Sequence, residues 1–245
     1  MWSPWALLPL VHSVITGAGL WVVYFVAVYD EKIAPLGSKY KRTNGSFYPP
    51  YISIAGNFPP ASCIFSQVMN LSAFLGFIVV VLRYLQLKPI LDKQWLNVGC
   101  LVAFSAGCFG MTLVGNFQLF AEEMIHNLGT FMTFGLGTLF CWVQSYITLK
   151  VNMQNEGRKA GVLRFLLSGS ITVSMILHFS LMPQGLHMQA AQCQWALVMF
   201  FLIFLGTFAI EFRHNRFETV VTDNSGRPVL PSEPFAGVTR YRPEL

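Results

Sequence analysis

From Phe165 to Ile210 the chain reads FLLSGSITVSMILHFSLMPQGLHMQAAQCQWALVMFFLIFLGTFAI, without an Asp, Glu, Lys or Arg. A helix crossing a bilayer needs about 20 predominantly apolar residues, so this run is too long for one crossing. Met182-Pro183-Gln184-Gly185 breaks it, because proline and glycine interrupt helices, and polar residues follow as far as Gln194. Two spans are therefore predicted, over residues 162–181 and 195–212.

The same search outward finds charge-free runs over residues 1–29, 43–82, 94–121 and 124–149. They yield helices over residues 5–28, 64–85, 96–114 and 128–149. The second starts late because Gly45, Pro49, Pro50, Gly56, Pro59 and Pro60 keep the preceding segment out of a helix. Only 11% of the 245 residues are charged, against about 25% in soluble domains. Mean hydropathy is +0.53. These values exclude a soluble enzyme and a disordered chain. The net charge of +5 is dispersed among short loops and implies no nucleic-acid partner. The predicted fold is an all-α membrane protein, a six-helix transmembrane bundle over residues 1–212. Residues 213–245, with Pro228, Pro231, Pro234 and Pro243, read as a mostly disordered cytoplasmic tail.

Six spans put both termini on one side. That side holds Arg83, Lys88, Lys93, Lys150, Arg158, Lys159, Arg164, Arg213, Arg216, Arg227, Arg240 and Arg242. The other holds Lys32, Lys39, Lys41 and Arg42, so the positive-inside rule makes both termini cytosolic and the first loop extracellular. Asn44-Gly45-Ser46 in that loop is a glycosylation sequon; Asn70-Leu71-Ser72 lies inside a span and should go unused. The N-terminal apolar run continues well past a signal-peptide core and reads as an uncleaved anchor.

Small residues allow membrane helices to approach closely. Gly99, Ala103 and Gly107 lie four apart on the third helix, with Ala106 and Gly110 beside them. Gly129, Thr133, Gly137 and Cys141 do so on the fourth. The two stripes are expected to face protein, each other first.

No charge is predicted at mid-bilayer depth. Arg83 and Glu211 sit at helix ends, where they either snorkel or pair across the bundle, and His12 and His178 read as packed histidines. Voltage-sensor and carboxylate-ring patterns are absent. A conduction path would rely on Gln67, Asn70, Ser105, Thr112 and Gln144, with Asp30, Glu31, Glu122 and Glu123 at its mouth. No hydrolase, zincin or phosphate-loop motif occurs, so no catalytic, cofactor or metal site is assigned. His126, His187, Glu122 and Glu123 share the outer face but lack zinc-site spacing. Among five cysteines, Cys100, Cys108 and Cys141 lie in spans, which leaves Cys63–Cys193 on the oxidising face as the candidate disulfide. Arg213 and Arg216 among Phe212 and Phe217 suit an anionic lipid interface.

The segment Pro49-Pro50-Tyr51-Ile52-Ser53-Ile54-Ala55-Gly56-Asn57-Phe58-Pro59-Pro60-Ala61-Ser62-Cys63 resembles the first-loop signature of the transmembrane protein 150 family, which belongs with the damage-regulated autophagy modulators. The likeness continues through Val114-Gly115-Asn116-Phe117-Gln118, His126-Asn127-Leu128-Gly129 and Trp195. Phe65-Ser66-Gln67-Val68-Met69-Asn70 and Glu211-Phe212-Arg213-His214 resemble the tentonin branch most closely. For that branch the resemblance implies a component or modulator of a mechanically activated, slowly inactivating cation channel. Elsewhere in the family it implies a scaffold for phosphatidylinositol 4-kinase recruitment, a regulator of lipid organisation, or one of autophagy. It implies the plasma membrane, with endosomes or lysosomes besides. The implied partners are the lipid bilayer, a second copy, another mechanosensitive channel or a kinase-adaptor complex. Several members carry Cys-Glu-Trp before the last helix; here it is Cys193-Gln194-Trp195, which makes the disulfide optional. Asn116, Gln118 and His126 are expected to cluster beneath the first loop and fix it to the bundle.

Overall fold

The computed structural model describes residues 3–40 and 47–217. Asn44 and the segment from residue 218 lie outside the described residues. Among the described residues the regular structure is helical, and one isolated parallel bridge joins Ile33 to Tyr48.

Helix α1 is Leu7–Tyr29, preceded by a short 3-10 turn that begins at Pro4. It buries Pro9, His12, Thr16, Leu20, Val23 and Ala27, a three-and-four spacing that defines one inward face. Its far side leaves Val14 and Phe25 exposed, as a lipid-facing surface requires. The first loop contains the one-turn helix α2, Ile52–Ala55, and leads through Pro59-Pro60 into α3, Ala61–Leu87. Helix α3 starts three residues before its predicted boundary because Pro60 stands at its N-cap, where a missing N–H costs nothing. Helix α4 is Gln94–Asn116.

The next helical run has three parts. Helix α5, Glu123–Phe131, passes through a π-helical turn, Met132–Leu136, into α6, Gly137–Val151. The wider turn has a sequence reason. Residues four apart drift around an α-helix of 3.6 residues per turn, and a π turn takes up that drift, so Gly129, Thr133 and Gly137 all stay on the inner side. The run ends at Asn152, whose left-handed φ of 43° stops the helix.

Helix α7, Gly157–Leu181, begins five residues before its predicted start. At Gly157 a Cβ would stand 2.4 Å from the Asn152 Cα, so only glycine fits this close approach. Helix α8, His187–Gly206, begins eight residues early, and α9, Ala209–Phe212, follows a break at Thr207-Phe208. Within the polar stretch 187–194, Ala190 and Ala191 are fully buried and pack in one core cluster with Tyr51, Ile52, Ile54 and Ala55 of the first loop.

Five helices, Pro4–Tyr29, Ala61–Leu87, Gln94–Asn116, Gly157–Leu181 and His187–Phe212, are long and apolar enough to cross a membrane, which makes this a multi-pass membrane protein. Neighbours in sequence are neighbours in space: α1 packs on α3, α3 on α4, α4 on α5, α6 on α7, and α7 on α8. Helix α8 returns to α1 and closes the ring. The Ser3 N–H donates to the Arg213 carbonyl at 3.2 Å, which brings both described ends of the bundle together.

Candidate functional site

Two polar assemblies stand out, one at each end of the bundle. At the end where Ser3 meets Arg213, Arg83 of α3, Arg164 of α7 and Glu211 of α9 form a buried ionic cluster. Arg83 is 1% exposed, Arg164 is sealed, and Glu211 is 4% exposed. Arg164 grips Glu211 with two parallel bonds, Nη1 to Oε1 at 2.6 Å and Nη2 to Oε2 at 2.7 Å. Arg83 Nη2 lies 3.4 Å from the same carboxylate.

The remaining donors are spent on neutral groups. Arg83 donates to Gln144, Gln86 and Thr148, and Arg164 to Thr207 and Thr148. The Phe208 ring lies 4.3 Å from the Arg164 guanidinium carbon and 5.3 Å from that of Arg83. Two cations thus share one carboxylate and one aromatic ring.

Arg164 is counted with the fourth loop in the charge balance above, at the margin of the span predicted over residues 162–181; it lies buried inside α7, which begins at Gly157. The missed signal was the face it occupies: Gly157, Ala160, Gly161, Arg164 and Ser168 follow helical spacing, and the small residues among them mark a protein-facing stripe. For Arg83 and Glu211, pairing across the bundle prevails over snorkelling. Two arginines against one glutamate leave the cluster with one net positive charge.

At the opposite end the first loop is clamped onto α8. The Ile52 N–H donates to Gln194 Oε1 at 2.8 Å, and Trp195 Nε1 donates to the Pro50 carbonyl at 3.0 Å. Trp195 also stacks on Trp21 of α1 with ring centres 4.5 Å apart. The Tyr51 hydroxyl meets His187 Nδ1 at 3.1 Å. Burial, with the nearby Tyr40, pushes that phenol up to about 12, so it remains protonated. At Gly56 a Cβ would fall 2.3 Å from the Phe65 ring, so the loop turns tightly over α3.

The expected trio at this end is divided. Asn116 Oδ1 accepts from Ser66 at 2.7 Å and Asn70 at 2.9 Å, tying α4 to α3. His126 bonds the Phe117 carbonyl through Nδ1 at 2.7 Å and the Ser53 hydroxyl through Nε2 at 2.9 Å. It therefore holds the loop. The Gln118 backbone carbonyl accepts from Ala121 and Glu122, closing the turn before α5. Cys63 is exposed and Cys193 half-buried, and both stand as free thiols. No group of three or more potential metal ligands occurs among the described residues.

The helix-packing residues also separate. Gly110 and Gly129 make the close approach, each glycine's Cβ position lying 2.7 Å from the other's carbonyl oxygen. Gly107 faces the Met132 and Thr133 carbonyls, Gly137 lies under Phe201 of α8, and Gly99 has no neighbour within 4 Å of its Cβ position. Thr133 donates to the Gly129 and Gly107 carbonyls. Ala103 is half-buried.

Residues 4–215 match the family model described as Frag1/DRAM/Sfk1/Cwh43P N-terminal domain. The chain is 34% identical over 233 residues to the Modulator of macroautophagy TMEM150B of Danio rerio, covering 95% of this chain and 96% of that one. It is 32% identical over 213 residues to the human protein of that name, covering 86% and 87%. Transmembrane protein 150A of Xenopus laevis is 31% identical over 226 residues, covering 85% and 83%. No solved structure matches the chain. With the family model spanning the whole bundle and relatives aligned across most of both chains, this protein belongs to the transmembrane protein 150 family, within the Frag1/DRAM/Sfk1 group.

Proposed function

We propose that the chain is a non-enzymatic membrane regulator of macroautophagy. The observation that carries this reading is the end-to-end similarity to proteins named modulators of macroautophagy. The sealed, net-positive cluster fits a regulator better than a pore through one bundle. Deleting the protein from cells should change autophagic flux about twofold or more, read as turnover of lipidated autophagosome marker with and without a lysosomal inhibitor. Re-expression should restore it. Unchanged flux in both directions would sink the proposal.

The channel reading rests on the tentonin resemblance. If this chain carries mechanically activated cation current, the path lies between copies or in a partner channel. Stretched liposomes holding only the purified chain separate the two readings, since current there would favour the channel. Recruitment of a kinase-adaptor complex is a further form of the regulatory role, seated at the basic, aromatic exit from α9.

For topology we propose six crossings, with the run from Glu123 to Val151 as the crossing interrupted by the π turn. The meeting of Ser3 with Arg213 supports an even number. Both termini are then cytosolic and the first loop extracellular, at the plasma membrane or in endosomes or lysosomes. Enzymatic deglycosylation should sharpen and speed the band on a gel, and Asn44→Gln should abolish that shift. An unglycosylated wild-type chain at the cell surface would count against this orientation. Cys63 and Cys193 flank the same loop assembly, and their pairing would be read as faster migration without reductant that is lost in Cys193→Ser.

A further inference from the structure

A cavity of about 100 Å³ lies inside the ring of helices. His12, Thr16, Gly76, Phe104, Thr133 and Phe201 line it, and it reaches Ile52 and Gln194 beneath the first loop. On α1 its wall runs from His12 to Leu20, about 12 Å at 1.5 Å per residue. This small volume stretched over that length has room for one hydrocarbon chain and not for fused rings. No Asp, Glu, Lys or Arg lines it, so a carboxylate or phosphate inside would find no counter-charge.

One wall residue has an unmet polar atom. His12 is 1% exposed, and its Nε2 lies 3.0 Å from the Ser72 hydroxyl, while its Nδ1 has no hydrogen-bond partner. A buried polar atom left unpaired is costly, and a bound ligand is one way to pair it. Neighbouring hydroxyls are otherwise engaged: Thr130 donates to the His126 carbonyl, and Thr133 to those of Gly129 and Gly107. Phe134 of the π turn and Phe201 of α8, both half-buried, line the slot and stack with ring centres 6.2 Å apart.

We propose that this slot binds a single-chain, uncharged membrane lipid through a hydroxyl head that pairs with His12 Nδ1, while its chain fills the apolar length. A hydroxyl both donates and accepts, so it satisfies Nδ1 in either tautomer of the ring.

The test uses the full chain in lipid nanodiscs and a decanol probe carrying a chain diazirine and a terminal alkyne. Two comparators carry the same tags: a hydrocarbon without the hydroxyl, and the fatty acid. Crosslinks from the alcohol should map to slot residues and be competed by untagged decanol. His12→Leu should lower that labelling about tenfold, as the loss of one buried hydrogen bond implies. Gly76→Ala is the second variant, because its methyl would meet Phe104, Cys108 and His12 at 3.4 to 3.6 Å without a clash. It should lower labelling by narrowing the slot and leave thermal stability unchanged. Labelling spread over perimeter residues such as Val14 and Phe74, or labelling equal for all three probes, overturns the proposal. So does labelling that is unmoved by both variants.

Discussion

Glu211→Gln destabilises the folded bundle by about 3–5 kcal/mol, the cost of removing one partner from a buried ion pair. The substitution keeps the side chain's shape and leaves Arg83 and Arg164 as two uncompensated cations in a sealed site. Arg83→Met should cost less, although it removes a whole guanidinium. It leaves the bidentate Arg164–Glu211 pair neutral and strands only uncharged groups on Gln144, Gln86 and Thr148. Thermal unfolding of the purified chain in mild detergent measures both. If Arg83→Met proved the more damaging, the charge balance described for this cluster would be wrong.

The second large effect is at the glycine contact between α4 and α5. Gly110→Ala places a methyl 2.7 Å from the Gly129 carbonyl oxygen and from the Met132 Cβ, and a backbone oxygen cannot swing aside as a side chain can. The helices must separate, at a cost of about 1–3 kcal/mol for an overpacked core. Gly99→Ala is the control. Its methyl meets nothing within 4 Å, and alanine favours helix over glycine, so stability should hold or rise by up to about 1 kcal/mol. Equal losses at both positions would show that helix propensity, rather than contact, sets the effect.

The contrast between Gly99 and Gly110 shows what the sequence made legible. Charge-free runs located the apolar helices because the bilayer imposes that composition directly. Spacing identified a stripe of small residues on α4, but not the point at which its neighbour crosses. Gly110 makes the closest approach and Gly99 faces outward, a matter of crossing geometry that no single helix encodes. Arg164 falls near the predicted start of its span, where a charge ordinarily faces the headgroups, so its burial was not legible from position alone. The face it shares with Gly161 and Ser168 would have placed it inward. The segment His187–Gln194 looked like a loop because His187, Gln189, Gln192 and Gln194 are polar. Gln194 is polar for a structural purpose, accepting the Ile52 N–H. His126 was readable as a loop anchor, whereas its partner Ser53 was not, because their pairing spans seventy-three residues of sequence.

The π turn at Met132–Leu136 sets where this helix tolerates a change of length. Deleting one residue beyond it, within the α-helical stretch between Gly137 and Trp142, would turn every later position by about 100° about the helix axis. Gln144 and Thr148 would then swing away from Arg83 and Arg164. A deletion inside the turn is absorbed instead, because the wide i→i+5 bonds tighten to i→i+4 and the later residues keep their direction. Single-residue gaps in natural variation should therefore fall in the turn and not between it and the ionic cluster. The register of the cluster is thus protected at one place on this helix and exposed everywhere else along it.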